Sequence, residues 1–178
     1  HKNEYGTYIT HIYIYDEDGD FALEGTDVII DTSSNSGYTG LLCQDGIWKY
    51  YQNGVFASYY MNLVYYNETW YYVKNGVIDW TYTGLYQYNG TWYYIQKGIL
   101  NWNYTGLCQY YETWYYIQKG ALNWKYTGLC QYNGTWYYIQ NGALNWNYTG
   151  LVKHNGSWYY VEKGILNWNY NGLVEYYG

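Results

Sequence analysis

Tryptophan recurs in this sequence at a fixed distance of 22 residues, and this period constrains the fold more than any other feature of the chain. The first series comprises Trp48, Trp70, Trp92, Trp114, Trp136 and Trp158. A second series with the same period comprises Trp80, Trp102, Trp124, Trp146 and Trp168. Self-similarity at a constant period of this length is the signature of a repeat architecture, in which each unit packs on its neighbours.

The period divides residues 39–178 into six full units and a fragment. We number them repeats 1 to 6 in chain order: 39–60, 61–82, 83–104, 105–126, 127–148 and 149–170, followed by the partial unit 171–178. In repeat 3, Leu85–Tyr88 and Thr91–Ile95 have the β-branched and aromatic composition of strands. Asn89-Gly90 between them predicts a two-residue hairpin, because a type I′ turn needs positive φ at both central positions.

Two repeats depart from this turn chemistry. Asn67-Glu68 and Tyr111-Glu112 stand where the other repeats have Asn-Gly or Asp-Gly. Because positive φ is costly for residues other than glycine and asparagine, we expect these two hairpins to be strained or differently turned. A second turn is predicted at Lys97-Gly98, and Ile99–Tyr104 then leads to the next repeat as a linker or a third short strand.

Both faces of the returning strand are apolar. Trp92 and Tyr94 share one face, and Tyr93 and Ile95 share the other, because side chains alternate along a strand. A single hairpin is only marginally stable in water, so each repeat must bury its faces against its neighbours. The sequence therefore predicts an all-β fold, a β-solenoid of stacked β-hairpins that follows a short N-terminal β segment.

Residues 1–38 differ from the array in composition and are predicted to form that separate N-terminal segment. They contain eight acidic residues and one lysine, whereas residues 39–178 contain six acidic residues and seven lysines. The alternation over Thr7–Tyr15 predicts a strand, and Phe21–Leu23 and Val28–Ile30 predict two short ones. We expect this acidic segment to act as a cap of the array or as an assembly strand.

Charge and composition narrow the classes of function. The net charge is -6, and the basic residues include no arginine, which argues against binding to nucleic acid or to an anionic membrane surface. No apolar run approaches the length of a membrane span. No repeat carries a nucleophile beside a base, a recurring carboxylate pair or a cluster with zinc-ligand spacing, so we expect no enzymatic activity.

Asp16, Asp18 and Asp20 alternate like the first ligands of a calcium-binding loop. A full loop of that kind needs glycine at its sixth place and glutamate at its twelfth, and counting from Asp16 these places hold Phe21 and Asp27. The three aspartates are therefore a weak candidate metal site, and a solvated acidic turn is the alternative. We expect no other cofactor.

The three cysteines are predicted to be free, small, core-facing thiols. Cys108 and Cys130 occupy the same place in adjacent repeats, where other repeats have Tyr86 or Val152, and Cys43 falls one position later in its own repeat. Exchange with apolar residues indicates a packing role. A disulfide between Cys108 and Cys130 is the alternative.

The repeat unit resembles a known family. The pattern Thr-Gly-x-x-x-x-Asn-Gly-x-Trp-Tyr-Tyr, followed by a glycine-centred turn, resembles the cell-wall-binding repeats of Gram-positive bacteria. These are the choline-binding modules, the related glucan-binding and clostridial-toxin repeats, and the similar arrays on clostridial surface proteins. The resemblance covers residues 39–178. It implies a secreted, non-catalytic module at the bacterial cell surface that binds cell-wall polymers or glycans between consecutive repeats.

The resemblance also implies a set of ligand-binding residues. Choline-binding members hold a quaternary ammonium group in aromatic cages by cation–π attraction. Two walls of such a cage match Trp92 with Tyr94 and the equivalent pairs, but Gly84-Leu85 replaces the Gly-Trp pair that usually gives the third wall, which argues against choline. The second tryptophan series would replace that wall or stack on sugar rings. The candidates are Trp70, Trp80, Trp92, Tyr94, Trp102, Trp114, Tyr116, Trp124, Trp136, Tyr138, Trp146, Trp158, Tyr160 and Trp168.

Two other interpretations of the aromatic residues remain open. The rings can simply form the core of a thin solenoid, or they can be covered by another copy of the chain. Residues 171–178 supply a first strand without its returning partner, and an unpaired strand edge is a template for another chain. The rival function is therefore a structural surface protein that associates head to tail into a fibre or layer.

Overall fold

The computed structural model describes residues 8–10, 13–15, 21–24, 28–30 and 37–174, and every regular element in these ranges is a β-strand. The chain divides into two compact units, one of His1–Tyr60 with Asn75–Val77 and the other of Met61–Lys74 with Ile78–Gly178. The sequence-based boundary between residues 38 and 39 stays a prediction. The predicted calcium site at residues 16, 18 and 20 lies outside the described residues.

The first unit contains the strands of the N-terminal segment and of repeat 1. They are β1 (Tyr8–Thr10), β2 (Tyr13–Tyr15), β3 (Phe21–Glu24), β4 (Val28–Ile30), β5 (Gly40–Gln44), β6 (Ile47–Gln52) and β7 (Val55–Phe56). β1 pairs antiparallel with β4, and β2 pairs antiparallel with β3. The predicted strand over Thr7–Tyr15 is thus described as two shorter strands with different partners, and the predicted strands at Phe21–Leu23 and Val28–Ile30 are confirmed.

Repeats 2 to 6 continue the same pattern of two longer strands and a two-residue strand. The strands are β8 (Asn62–Tyr66), β9 (Thr69–Lys74), β10 (Val77–Ile78), β11 (Gly84–Tyr88), β12 (Thr91–Gln96), β13 (Ile99–Leu100), β14 (Gly106–Tyr110), β15 (Thr113–Gln118), β16 (Ala121–Leu122), β17 (Gly128–Tyr132), β18 (Thr135–Gln140), β19 (Ala143–Leu144), β20 (Gly150–His154), β21 (Ser157–Glu162) and β22 (Ile165–Leu166). A third, two-residue strand is therefore present in every full repeat.

The hairpin register fixes which side chains share a face. In repeat 4, Leu107 lies opposite Tyr116, and Gln109 lies opposite Trp114. The short strand β16 pairs with β15 of its own repeat and with β12 of the preceding one, where Tyr93 lies opposite Ala121. β13, β16, β19 and β22 each bridge two returning strands in this way, so hydrogen bonds as well as packing join consecutive repeats of the second unit.

The two turns of each repeat adopt the backbone that the sequence predicts. At the hairpin tip, Asn133 and Gly134 have φ of 49° and 80°, and at the second turn Lys119 and Gly120 have φ of 49° and 74°. The departing hairpin Asn67-Glu68 keeps positive φ at both positions, with Glu68 at 61°, which strains the glutamate backbone. Of the described pair Tyr111-Glu112, only Tyr111 has positive φ, at 52°, so that hairpin is differently turned.

The core lies between repeats, where one face of each hairpin meets the opposite face of the next. Leu107 and Tyr116 of repeat 4 pack with Cys130, Ile139 and Leu144 of repeat 5, and the Ile139 side chain is fully buried. The same cluster recurs at the neighbouring junctions of the second unit. This packing confirms the predicted β-solenoid, because neither face of a repeat is buried without its neighbours.

The Tyr-Thr-Gly-Leu segment between repeats stabilises the junction through ring stacking and hydrogen bonds. Tyr126 stacks on Tyr116 with ring centroids 3.9 Å apart, and its hydroxyl donates to the Leu129 carbonyl at 2.6 Å. The Thr127 hydroxyl accepts a hydrogen bond from the Asn141 amide at 3.1 Å, across the hairpin. Desolvation by burial raises the pKa of Tyr126 to about 12, so this hydroxyl stays a neutral donor over the physiological range.

We expect Tyr126→Phe to lower the free energy of unfolding by about 1–2 kcal/mol, because the Leu129 carbonyl loses a donor in a partly buried junction. Tyr65→Phe is the matched control, since the Tyr65 side chain is 57% exposed and its change should cost less than about 0.5 kcal/mol. Urea unfolding followed by tryptophan fluorescence measures both. Equal urea midpoints for the two variants would contradict this role of the hydroxyl.

The cysteines follow the strand alternation. All three cysteines, Cys43, Cys108 and Cys130, are free. This confirms the predicted free thiols, and the alternative disulfide between Cys108 and Cys130 is not formed. Cys108 and Cys130 are buried as expected, but Cys43 is exposed, so the prediction that all three face the core is wrong for this residue. Cys43 sits one position later on its strand, opposite Trp48, and a shift of one residue turns a side chain to the other face.

Candidate functional site

A cavity of about 260 Å³ lies at the junction of repeats 4 and 5, and we name it the junction pocket. Its lining residues are Leu107, Trp114, Tyr132, Asn133, Tyr137, Leu144 and Trp146. Rings from both repeats and from both tryptophan series therefore meet around one space. This volume suits a small ligand group rather than a large molecule.

Repeat 4 contributes Leu107 and Trp114 to the lining of the junction pocket. The hairpin register places Leu107, Trp114 and Tyr116 on one face of β14 and β15. Trp114 is half-buried and packs on the cluster that contains Leu107 and Tyr116. Tyr116 is only 8% exposed and stacks on Tyr126, so its ring belongs to the core and is not among the lining side chains.

Repeat 5 contributes the facing walls. Tyr132 ends β17 and contacts Trp114 with ring centroids 5.2 Å apart and planes at 54°. Tyr137 lies on β18 and meets Trp146 edge to face, with centroids 5.9 Å apart at 84°. Trp146 sits in the turn after β19, lines the pocket and is 47% exposed.

The same ring geometry recurs at the four junctions between repeats 2 and 6. The first contact joins Trp70 to Tyr88 at 5.2 Å, Trp92 to Tyr110 at 4.7 Å, Trp114 to Tyr132 at 5.2 Å and Trp136 to His154 at 5.0 Å. The second contact joins Tyr93 to Trp102, Tyr115 to Trp124, Tyr137 to Trp146 and Tyr159 to Trp168, at 5.6 to 5.9 Å. Four equivalent arrangements therefore follow one another along the array.

The ligand-binding residues predicted from the sequence differ in how much of each side chain is exposed. The second series keeps open ring surface, with exposed fractions of 45% for Trp80, 50% for Trp102, 52% for Trp124, 47% for Trp146 and 68% for Trp168. Trp70, Trp92, Trp114 and Trp136 are half-buried between repeats. Tyr94, Tyr116 and Tyr138 are 7–8% exposed and belong to the core clusters. At the junction of repeats 4 and 5, the geometry thus brings the first-series Trp114 together with the second-series Trp146 of the next repeat.

Trp158, Tyr160 and Trp168 come together in a second cavity, of about 400 Å³, on repeat 6. Leu151, Tyr170 and Leu173 also line it, and Leu173 is fully exposed. Trp158 keeps 47% of its surface exposed, while Tyr160 stacks on Tyr170 at 3.8 Å. We base the candidate site on the smaller junction pocket, because its rings recur at four junctions.

The electrostatics of the junction pocket are those of a neutral aromatic cage. None of its seven described lining residues carries a charge at neutral pH. In the hydrophobic cluster that shares Leu107 with the pocket, burial raises the pKa of the Cys130 thiol to about 11 and that of Tyr126 to about 12, so these groups are uncharged as well. The faces of tryptophan and tyrosine rings carry negative potential, which attracts cations and the C–H groups of sugars.

Sequence reasoning missed Tyr132, Tyr137 and their equivalents, which supply the facing walls. The sequence-based prediction assigned two walls of the cage to residues on one face of a single returning strand. The pocket instead combines residues from two consecutive repeats. The available signal was the alternation itself: Tyr137 lies on the other face from Trp136 and must meet the preceding repeat. Asn133, at the hairpin tip of repeat 5, also lines the pocket.

Within the ranges that the structure describes, no group of three or more His, Cys, Asp or Glu side chains is arranged to hold a metal ion. The described residues also contain no helix of the length and hydrophobicity needed to cross a membrane.

A family model of the choline-binding repeat matches this chain five times, at residues 59–79, 81–101, 103–123, 125–145 and 147–167. No curated protein sequence matches the chain. Solved structures with similarity include choline binding protein F of Streptococcus pneumoniae, 27% identical over 87% of this chain and 48% of that one, with a TM-score of 0.32. A choline-binding domain from the same organism is 28% identical over 49% of this chain and 96% of its own, with a TM-score of 0.29.

A third structure with similarity is a truncated alternansucrase of Leuconostoc mesenteroides. It is 19% identical over 88% of this chain and 12% of the enzyme, with a TM-score of 0.33. This chain thus spans less than half the length of choline binding protein F and a small part of the alternansucrase.

Proposed function

The chain belongs to the choline-binding repeat family, because five family matches cover more than half of its residues, and we propose that it is a non-catalytic module that attaches to cell-wall polymers. In this proposal the pockets between consecutive repeats hold quaternary ammonium groups such as choline. The module acts outside the cell, where such polymers are exposed.

The observation that carries this proposal is the neutral cage of Trp114, Tyr132, Tyr137 and Trp146. Its Trp–Tyr contact recurs at two other junctions, and His154 replaces the tyrosine at a third. A quaternary ammonium group cannot donate hydrogen bonds, so it is recognised by ring faces rather than by polar partners. Each ring contributes about 0.5–2 kcal/mol, depending on how completely the cation is desolvated. Several rings around one small cavity can therefore bind a methylated cation without any carboxylate.

The Gly-Leu junction, which argued against choline in the sequence, is compatible with this cage. Leu107 lines the pocket where the family pattern usually has tryptophan, and Trp146 of the next repeat faces the same space. The second tryptophan series thus supplies the ring surface that the first strand lacks. The proposal therefore assigns the third wall to Trp146 and its equivalents at the other junctions.

Sugar rings are the second candidate ligand, and the exposure of Trp102, Trp124 and Trp146 favours them. About half of each of these side chains is open to solvent, as stacking on a pyranose ring requires. The Asn133 amide, at the rim of the junction pocket, can donate and accept hydrogen bonds with sugar hydroxyls. Glycan segments of the wall would then bind at the same junctions.

Calorimetric titration separates these ligands from each other and from a structural role. We expect saturable heat with choline chloride at neutral pH, and little or none with glucan oligosaccharides at equal concentration. Saturation with the oligosaccharide alone would support the sugar alternative. No binding of either, together with a mass that rises with concentration in light scattering, would favour head-to-tail association.

We expect Trp146→Ala to weaken choline binding at one site and to leave the fold intact. The substitution takes away a ring worth about 0.5–2 kcal/mol, which corresponds to about 2–30-fold weaker binding in that pocket. Trp146→Phe retains a ring face and should keep most of the affinity. Titration calorimetry measures the number of sites, and circular dichroism checks the fold; loss of the β-type spectrum in the alanine variant would show that Trp146 is a core residue.

A further inference from the structure

One side chain in the lining of the junction pocket differs in kind from the others. Four of the described lining side chains are aromatic rings and two are leucines, whereas Asn133 carries an amide. Leu107 and Leu144 are 1% and 8% exposed, while Asn133 is exposed to solvent. The pocket thus combines buried hydrocarbon with one accessible amide, which can both donate and accept hydrogen bonds.

The Asn133 amide has no hydrogen-bond partner among the residues that the structure describes. Asn155 occupies the same place at the hairpin tip of repeat 6, and its amide nitrogen lies 3.2 Å from Nε2 of His154. In repeat 5 the residue before the tip is Tyr132, whose ring packs on Trp114 and carries no ring nitrogen. The Asn133 amide can therefore bond to a ligand without breaking a hydrogen bond within the described chain.

The hairpin turn does not require an amide at this position. Asn133 and Gly134 have φ of 49° and 80°. Asp45 and Gly46 take the same backbone at the tip of repeat 1, with φ of 52° and 75°, and Tyr111 has φ of 52° at the tip of repeat 4. Three different side chains are thus compatible with this positive φ, so the amide of Asn133 is free to serve the pocket.

We propose that Asn133 makes the junction pocket selective for quaternary ammonium groups that carry an oxygen atom two carbons away from the nitrogen, as choline does. This inference rests on the proposed function and assigns the selectivity of one pocket to a residue that is not part of the ring cage. The rings contact the N-methyl groups, and the Asn133 amide forms a hydrogen bond with the oxygen. Tetramethylammonium, which has the same charge and no oxygen, binds more weakly.

The physical cause is a division of work between the rings and the amide. Ring faces attract a methylated cation through its charge, so they do not distinguish one fourth substituent on the nitrogen from another. A hydrogen bond between two neutral groups contributes a net free energy that corresponds to about 2–10-fold in affinity. This contribution depends on the amide, because the leucines and the indole rings of the lining offer an oxygen atom little compensation for lost water.

The experiment follows the indole N–H signal of Trp146 in proton–nitrogen NMR spectra, because this side chain lines the junction pocket. The signal is identified as the one that is missing from the spectrum of Trp146→Phe. Titrations with choline chloride and with tetramethylammonium chloride at equal ionic strength then report the affinity of each ligand for this pocket. We expect choline to bind about 2–10-fold more tightly than tetramethylammonium.

Asn133→Gly tests the residue directly. Glycine adopts positive φ readily, so the turn should form while the amide is lost. We expect the preference for choline to disappear and the affinity for tetramethylammonium to stay unchanged. Asn141→Gly is the matched control, because Asn141 has φ of 50° before Gly142 at the second turn of the same repeat and is not among the described lining residues. It should keep the full preference.

Phosphocholine distinguishes two sources of the same ligand chemistry, because its oxygen is esterified and has no proton. If phosphocholine keeps the advantage over tetramethylammonium, the Asn133 N–H groups donate to the oxygen, as they would to choline esters in a polymer. If only choline keeps it, the hydroxyl of free choline donates to the Asn133 carbonyl. Either result supports the inference, provided that Asn133→Gly removes the advantage.

The outcomes separate this inference from the function on which it rests. Equal affinities of choline and tetramethylammonium for the pocket overturn the role of Asn133 and leave the proposed function standing. A preference for choline that persists in Asn133→Gly, or that is also lost in Asn141→Gly, overturns that role too. If neither ligand shifts the Trp146 signal or any other indole signal of the chain, the proposed function fails, and the inference fails with it.

Discussion

Gly120→Ala should lower the free energy of unfolding by about 2–5 kcal/mol. Among substitutions that remove no existing contact, this is the largest effect that we expect. Gly120 has φ of +74°, which costs an alanine about 1–2 kcal/mol. An added Cβ would also lie 2.7 Å from the Asn101 carbonyl oxygen and 2.9 Å from the Trp102 Cα, both backbone atoms of the preceding repeat. Relieving that overlap should cost about 1–3 kcal/mol more.

Gly134→Ala isolates the packing part of this effect. Gly134 has a similar φ of +80° in the same kind of turn, but a Cβ there meets nothing within 4 Å. It should therefore cost only the backbone strain of about 1–2 kcal/mol. Urea unfolding of both variants measures the difference. If the two substitutions destabilise equally, consecutive repeats are not in contact at the second turn.

The Gly120 site also explains the strict spacing of the array. The Gly120 amide donates to the Tyr104 carbonyl at 2.9 Å, and its carbonyl accepts from the Tyr94 amide at 2.8 Å. Both partners belong to the preceding repeat, so an insertion between the hairpin and this turn would break two hydrogen bonds and the contact with Trp102. The period of the sequence was sufficient to predict stacked hairpins, because only one register satisfies these groups in every repeat.

Turn chemistry was equally predictable from particular residues. Asn133-Gly134 has the positive φ pair that its composition favours. Glu68 and Tyr111 were expected to disturb their hairpins, and each does so in a different way: one keeps the turn with a strained glutamate, and the other changes it. The choice between these two outcomes depends on local packing, which a turn motif does not encode.

The candidate site was only partly predictable, for a geometric reason. Trp114 and Trp146 were predicted as ligand-binding residues because they belong to the two tryptophan series, and both line the junction pocket. Tyr116 shares a strand face with Trp114, but Tyr126 from the linker stacks on it and places it in the core. The sequence pattern shows which residues share a face. It does not show which of them the linker covers, or which residues of the next repeat lie opposite.

The stability of the array should be constant near neutral pH and should fall progressively as the pH rises from about 9 to about 12. Burial raises the pKa of Tyr82 and Tyr126 to about 12, and that of Tyr104 further, from an ordinary value of 10.0. It also raises the pKa of Cys108 and Cys130 to about 11 from 9.0. Between these values the unfolded chain has lost protons that the folded chain still holds, so stability falls as pH rises. Urea midpoints at pH 8, 10 and 11 measure the effect.

The chain supplies its own control for the buried thiols. Val152 occupies in repeat 6 the place that Cys108 and Cys130 occupy in repeats 4 and 5, and it is buried like them. The double variant Cys108→Val and Cys130→Val should therefore fold, and its stability should begin to fall at a higher pH because only tyrosines remain to titrate. Salt at 1 M screens repulsion between exposed tyrosinates but not desolvation, so the loss should persist there. A urea midpoint that stays constant from pH 8 to 11 would mean that these hydroxyls and thiols are hydrated in the folded chain, and that the junctions are not packed as described.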